Sequence, residues 1–362
     1  MKNILFYITG HGYGHATREI EILKKLTALG GEYFCHIKTN APEWLFNLNL
    51  KRNFRYNYFF HDIGVVQSDW LTVDKETTLA AFSELWQDRR MIINREMEYI
   101  KKHNINLIVA DIAPIAFEIA VAAKLPAIAI GNFSWDWIYE PYVEELPQFK
   151  HLIPQIKDAY HQANTLLRLP FAGDMSAFKN PQEVPLVGRK ALREAEDVRR
   201  SLSKDIDPDK RLIIIAFRAD DLSKIKLQNL EKYTDVHFGI FVKKYEHLNN
   251  IIYFPHDFMP FQELVNAADG VVSKPGYGIV SECIVNQTPL FFTERYDFQE
   301  YDYLKAGILE NQAGSFLPIE DFVNGNWQSF FDYLDNHKEP WPEIATNGVE
   351  VIVAEILKYL SN

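Results

Sequence analysis

Two histidines stand among three glycines near the start of the chain, in Thr9-Gly10-His11-Gly12-Tyr13-Gly14-His15-Ala16-Thr17-Arg18. An apolar run from Asn3 to Ile8 leads in, and Glu19 to Leu26 leads out with apolar residues at helical spacing, so the stretch reads as strand, tight loop and helix. Such a loop aims backbone N–H groups and two imidazoles at whatever lies above the sheet. Its glycines suit phosphate or the close approach of a sugar, and its histidines add proton chemistry. The spacing is not Gly-x-Gly-x-x-Gly, and the Lys-Ser/Thr ending of a nucleotide-hydrolysing phosphate loop is missing. A second glycine turn, Gly276-Tyr277-Gly278, opens the helix Ile279 to Ile284 and offers N–H groups at a helix N-terminus to a diphosphate. Glu282 lies one turn further on, within reach of a ribose diol. The plainer reading makes the glycines a turn and Glu282 a solvated helix residue. Asp111 ends an apolar strand and either orients a ligand group or caps the next helix. Asp136 lies between Trp135 and Trp137, whose indoles either stack on a sugar or pack half-buried.

These residues need elements to hold them. Apolar strands are expected at 3–8, 32–39, 54–60, 105–111, 127–130 and 165–169, and again at 211–217, 237–241, 251–253, 270–273 and 289–293. Helical patterns alternate with them, including a long one at 75–103, others at 117–123, 152–164, 223–232, 261–267 and 279–284, and a last one at 349–360. Segments 62–74 and 294–303 have no period and read as loops, as does Gly131 to Trp137. Alternation of this kind predicts an α/β protein with parallel sheets covered on both faces. Ligands then sit beyond the carboxyl ends of the strands, an edge shared by the His15 loop, Asp111 and the Trp135 loop. The three prolines within 170–187, Pro170, Pro181 and Pro185, suggest a linker. The organisation expected is a first domain at 1–170, a linker at 171–188, a second domain at 189–345, and a C-terminal helix within 346–362 packing back on the first domain.

A chain of 362 residues, 47% hydrophobic, can bury two cores. Its net charge of −11 argues against a nucleic-acid backbone as partner. The only cysteines, Cys35 and Cys283, provide neither a disulfide framework nor a metal spacing. The N-terminal apolar run is too short for a signal peptide, and no stretch reaches membrane-spanning length. A cytoplasmic protein is expected, with peripheral membrane contact left open.

From Phe258 to Gly276, through Val280-Ser281-Glu282 and Gln287-Thr288-Pro289 to Asp297-Phe298-Gln299-Glu300, the sequence resembles the donor-binding region of two-domain GT-B glycosyltransferases. It is most similar to the branch of the lipid II N-acetylglucosaminyltransferase and the UDP-glycosyltransferases. Thr9 to Arg18 and Gly64 to Asp69 resemble the glycosyltransferase-like domain that precedes the sugar kinase of plant arabinokinases. The resemblance implies a GT-B fold of two Rossmann-like domains, the first binding the acceptor and the second the donor, and a nucleotide-sugar co-substrate, UDP-linked in that branch, with no other cofactor and no metal. It also implies transfer to a sugar or other hydroxyl acceptor, with inversion. His15 becomes the base and Asp111 its orienting partner; His15 as a helix cap or phosphate donor, and His11 as a structural group or phosphate contact, are the other readings. Gly14, Gly276, Tyr277 and Gly278 fall beside the donor, Glu282 on the ribose, Gln299 and Glu300 on sugar hydroxyls, and Phe258 and Met259 around the base. The chain departs from that pattern after the second domain's first strand, where Ala216-Phe217-Arg218-Ala219-Asp220-Asp221 replaces a Gly/Ser loop and Arg218 is expected to donate charged hydrogen bonds to the phosphate in its place. Glu294-Arg295-Tyr296 stands where a proline is common. The rival readings are a nucleotide-sugar epimerase or hydrolase of the same architecture and a non-catalytic nucleotide-sugar-binding module.

Overall fold

The computed structural model describes residues 1–202, 206–336, 341 and 343–361; the remaining positions of the expected second domain and Asn362 lie outside it. Seven parallel strands make the first sheet: β1 (Lys2–Ile8), β2 (Tyr33–Thr39), β3 (Phe54–Tyr58), β4 (Ile105–Asp111), β5 (Ala127–Gly131), β6 (Thr165–Arg168) and β7 (Pro181–Glu183). Their order is β3-β2-β1-β4-β5-β6-β7. Six more make the second sheet in the order β10-β9-β8-β11-β12-β13: β8 (Arg211–Ile215), β9 (Val236–Ile240), β10 (Ile251–Tyr253), β11 (Gly270–Val272), β12 (Leu290–Phe292) and β13 (Gly314–Phe316). The uninterrupted apolar runs are what a sheet covered on both faces requires: Ile4 to Ile8 and Leu212 to Ile215 have no exposed surface.

In each sheet the strand order reverses once beside its first strand, between β1 and β4 and between β8 and β11. Such reversals leave a crevice at the carboxyl ends, because the flanking connections depart to opposite faces. Ile8 pairs with Asp111 across the first crevice, and Val272 pairs with Ile215 across the second. The His15 loop therefore leaves one switch point, and the Arg218 and Gly276 loops leave the other.

Several local expectations change. The pattern at 75–103 is two helices, Lys75–Gln87 and Arg89–His103, jointed at Asp88. Trp135 to Trp137 is not a loop but the first turn of helix Trp135–Glu145. The helix expected at 223–232 is a single turn, Ala219–Leu222, followed by a 3-10 segment, Leu227–Lys232. β7 falls inside the expected linker; a proline at the start of an exposed edge strand is tolerated because no neighbour needs its missing N–H.

The chain crosses between the domains twice, and the crossings touch. Leu186 N–H donates to the Ala345 carbonyl at 2.9 Å, and Gly348 N–H donates to the Leu186 carbonyl at 3.2 Å. A Cβ at Gly348 would run into the Pro185 carbonyl, so only glycine lets the two segments lie this close. The last helix, Gly348–Ser361, then lies on the first domain, with Lys25 3.3 Å from Glu350 and the Thr165 and Tyr359 hydroxyls 2.7 Å apart. No helix among the described residues is long and apolar enough to cross a membrane.

Candidate active site in the interdomain cleft

His15 lies in the first turn of helix Tyr13–Ala28, which starts after Gly12 at φ +77°, a left-handed conformation that glycine adopts without strain. Its Nδ1 is 3.0 and 2.9 Å from the two carboxylate oxygens of Asp111. An ionised carboxylate only accepts, so Nδ1 carries a proton, and in the neutral ring the lone pair is on Nε2. Asp111 is fully enclosed, and burial by itself would raise its pKa. Arg18 and His15 outweigh that burial and hold the carboxyl below its usual range. Arg18 donates to Asp111 and lies 3.4 Å from Glu19. Burial, reinforced by Asp111, pushes Glu19 up to about 8, so one charged carboxylate rather than two faces Arg18 at neutral pH. The apolar side of the pocket is Phe133, whose ring lies 5.6 Å from the His15 ring and edge-on to it.

His11 is held differently. It accepts from the Val65 N–H at 3.4 Å and packs on Trp135 and Phe298. Burial, then the cations Arg295, Arg218 and Lys274, push its pKa down to about 3, so it is neutral. Asp136, Trp135 and Trp137 are buried, and the Trp135 indole donates to the buried Asp62 at 2.9 Å; they pack within the first domain instead of presenting faces to the cleft.

On the donor side, several residues expected against ligand are spent on protein. Glu282 is 4% exposed and paired with Arg189, because a buried carboxylate needs a counter-charge and the residue just after the linker supplies one. Tyr277 is buried, accepts from the Val187 N–H at 3.3 Å and lies under Arg18, 5.3 Å from its ring centre. Gly14 and Gly278 meet each other: a Cβ on Gly278 would lie 2.9 Å from the Gly14 Cα. Gln299 donates to the Trp137 carbonyl at 2.5 Å, and Glu300 accepts from Asn132 at 2.7 Å, so both reach the first domain. Four of the expected residues stay more open. Gly276 faces open space, Phe258 is exposed and stacked on Phe254, Met259 is half-buried beside it, and Arg218 is exposed over the Tyr13 ring.

The two domain edges are thus in direct contact. The segment expected to be irregular, 62–74, supplies further bridges: the Trp70 carbonyl accepts from Lys274 at 2.9 Å, and the Leu71 carbonyl accepts from the Tyr296 N–H at 2.9 Å. Arg18 and Asn132 were not singled out from the sequence. Arg18 had a readable signal, since three residues after His15 on a helix put it on the same face; Asn132 had none. A groove of about 300 Å³ on the first domain, lined by Lys38, Asn57 and Tyr99, shares none of these residues, and its lysine is already paired with Glu96.

Residues 2–146 match the model of glycosyl transferase family 1. The chain is 31% identical over 369 residues to an L-arabinokinase of Arabidopsis thaliana, a match that spans 99% of this chain and 34% of that protein, about a third of its length. Among solved structures, the glycotransferase of kitacinnamycin superposes with a TM-score of 0.63 at 13% identity, covering 99% of this chain and 95% of the other. UGT2 of Phytolacca americana, in complex with UDP-2-fluoro-glucose and pterostilbene, does so with 0.62 at 10%, covering 99% and 100%. The spinosyn forosaminyltransferase SpnP gives 0.63 at 13%, covering 100% and 95%. These likenesses do not single out the lipid II branch. They agree with the two switch-point sheets facing across a cleft: the chain has the GT-B fold of glycosyltransferases, with a first domain that matches glycosyl transferase family 1.

Proposed function

We propose that this chain transfers a sugar from a nucleotide-sugar donor, UDP-linked, to an acceptor hydroxyl, with inversion and without a metal. The observation that carries the reading is the His15–Asp111 pair at the first switch point, with Nδ1 on the carboxylate and the other ring nitrogen left as acceptor. His15 Nε2 takes the acceptor's proton as that oxygen attacks the anomeric carbon. The bond from that carbon to the phosphate oxygen breaks, and its electron pair leaves on the nucleoside diphosphate. Asp111, kept ionised by Arg18, stabilises the imidazolium until it loses its proton to water. Gly276, open at the N-terminus of helix Tyr277–Val285, and Arg218 meet the charge on the leaving diphosphate. Phe258 offers an exposed ring to the base. Since Gly14 touches Gly278 and Tyr277 lies under Arg18, donor entry requires the edges to part.

The test is His15→Ala and Asp111→Asn assayed for transfer while donor binding is followed separately. Binding with lost transfer is expected, and full turnover by both variants would sink the mechanism. Arg218→Ala is expected to weaken donor binding by about tenfold, the scale of one charge-assisted hydrogen bond.

A further inference from the structure

Three cations stand along the edge of the second sheet. Arg218 follows β8, Lys274 follows β11 and Arg295 follows β12, and these strands are consecutive neighbours, with Val272 paired to Ile215 on one side and Phe291 on the other. All three bear on His11 of the facing domain. Lys274 is partly occupied: it lies 2.7 Å from Asp221 and donates to the Trp70 carbonyl. Arg218 serves the diphosphate in the reading above. Arg295 remains.

Its guanidinium lies 4.0 Å from the centre of the Phe298 ring and makes no hydrogen bond or ion pair among the described residues. The titratable groups facing it, Glu300 and Tyr142, are already bonded, the first to Asn132 and the second to the Asp297 carbonyl. Every other charged or amide side chain from 294 to 300 has a partner. Glu294 accepts from Thr293 at 2.6 Å, Asp297 lies 2.8 Å from Lys75, and Gln299 and Glu300 reach the first domain. A half-buried guanidinium that faces Glu300 only across a gap and has no hydrogen-bonded carboxylate is poorly compensated, and its planar fork is the group best shaped to take a carboxylate through two parallel hydrogen bonds. Strands spaced about 4.8 Å apart put the loop after β12 about 10 Å along the edge from the loop after β8. Arg295 therefore stands beyond a diphosphate held at Arg218, on the loop that carries Gln299 and Glu300.

We infer that Arg295 binds a carboxylate on the transferred sugar, so that the cleft takes a nucleoside diphosphate hexuronate in preference to the matching neutral hexose. This inference rests on the transfer reading and narrows its donor. The experiment is calorimetric binding of UDP, UDP-glucose, UDP-glucuronate, UDP-galactose and UDP-galacturonate to the wild-type chain, Arg295→Met and Arg295→Lys. One uronate is expected to bind about 10- to 100-fold tighter than its hexose, the range of a charged hydrogen-bonded pair. Arg295→Met should abolish that preference while leaving UDP affinity unchanged, and Arg295→Lys, which keeps the charge and loses the fork, should retain part of it. Equal binding of hexose and uronate, or a preference that survives Arg295→Met, overturns the inference while UDP binding leaves the transfer reading standing. Failure of UDP and every sugar to bind removes both. Free glucuronate binding on top of UDP-glucose, and lost in Arg295→Met, moves the carboxylate to the acceptor and overturns the donor assignment.

Discussion

The two edges of the cleft are built on the same plan and finished differently. At the first switch point His15, Asp111, Arg18 and Glu19 form a network whose hydrogen bonds and charges are already in place. At the second, Glu282, Tyr277, Gly278, Gln299 and Glu300 are turned toward the linker or the facing domain, and Gly276, Phe258, Arg218 and Arg295 remain open. A base must be preset, because its tautomer and orientation decide whether a proton can move. A binding surface can be assembled on demand, with ligand contacts replacing interdomain ones at little net change. Under the proposed transfer, the difference gives chemistry to the first edge and opening to the second.

The sharpest way to break that division is His15→Ala. A misplaced or missing general base costs about 10²–10⁴-fold in rate, with binding retained; a comparable loss of donor affinity would show that the first edge also carries binding. Next comes Arg189→Ala, which strands Glu282 in a buried site. Loss of one partner from a buried pair costs about 3–5 kcal/mol, to be read as a lower denaturant midpoint; an unchanged midpoint would free Glu282 to serve a ribose. Gly278→Ala sets a methyl against the Gly14 backbone. It is expected to lower transfer by up to about 100-fold, since misplacement by an ångström suffices for that, while UDP affinity is kept or improved by a propped-open cleft; wild-type turnover would mean that the two loops need not meet in catalysis. The smallest effect is expected from Glu19→Gln. Glu19 titrates at about 8 when folded, above its ordinary 4.5, so between those values the folded chain holds a proton that the unfolded chain has released. Stability from this group therefore falls as pH rises from about 4.5 to 8. The amide stays neutral throughout, so melting temperatures of the variant, followed across that window, should decline less with pH than those of the wild type.

Much of the frame was legible because it depends on local pattern. Continuous apolar strands such as Ile4–Ile8 and Leu212–Ile215 can only be buried on both faces, and each ends in a loop whose glycines and charged residues mark the ligand edge. Strand ends placed His15 and Asp111 on one edge, while the expectation that the two pair came from the family resemblance. What stayed hidden depends on contacts distant in sequence. Arg189 answers Glu282 from 93 residues away, and Asn132 answers Glu300 from 168; neither polar pair has a local signature. β7 was hidden by its proline, and the start of helix Trp135–Glu145 by aromatic residues that read equally well as an exposed loop. The glycines at 14 and 278 were legible as sites of close approach, but sequence alone does not say whether the thing approached is a ligand or another backbone.

The paired crossings near Leu186 and Gly348 have a mechanical consequence. Two strands of chain bonded side by side form a two-ply strap, which flexes across its thin direction and resists torsion, because twisting would shear the bonds from Leu186 to Ala345 and from Gly348 to Leu186. An opening of the cleft that keeps both bonds therefore costs less than one that twists the domains against each other, and would leave the Gly276 loop in line with His15.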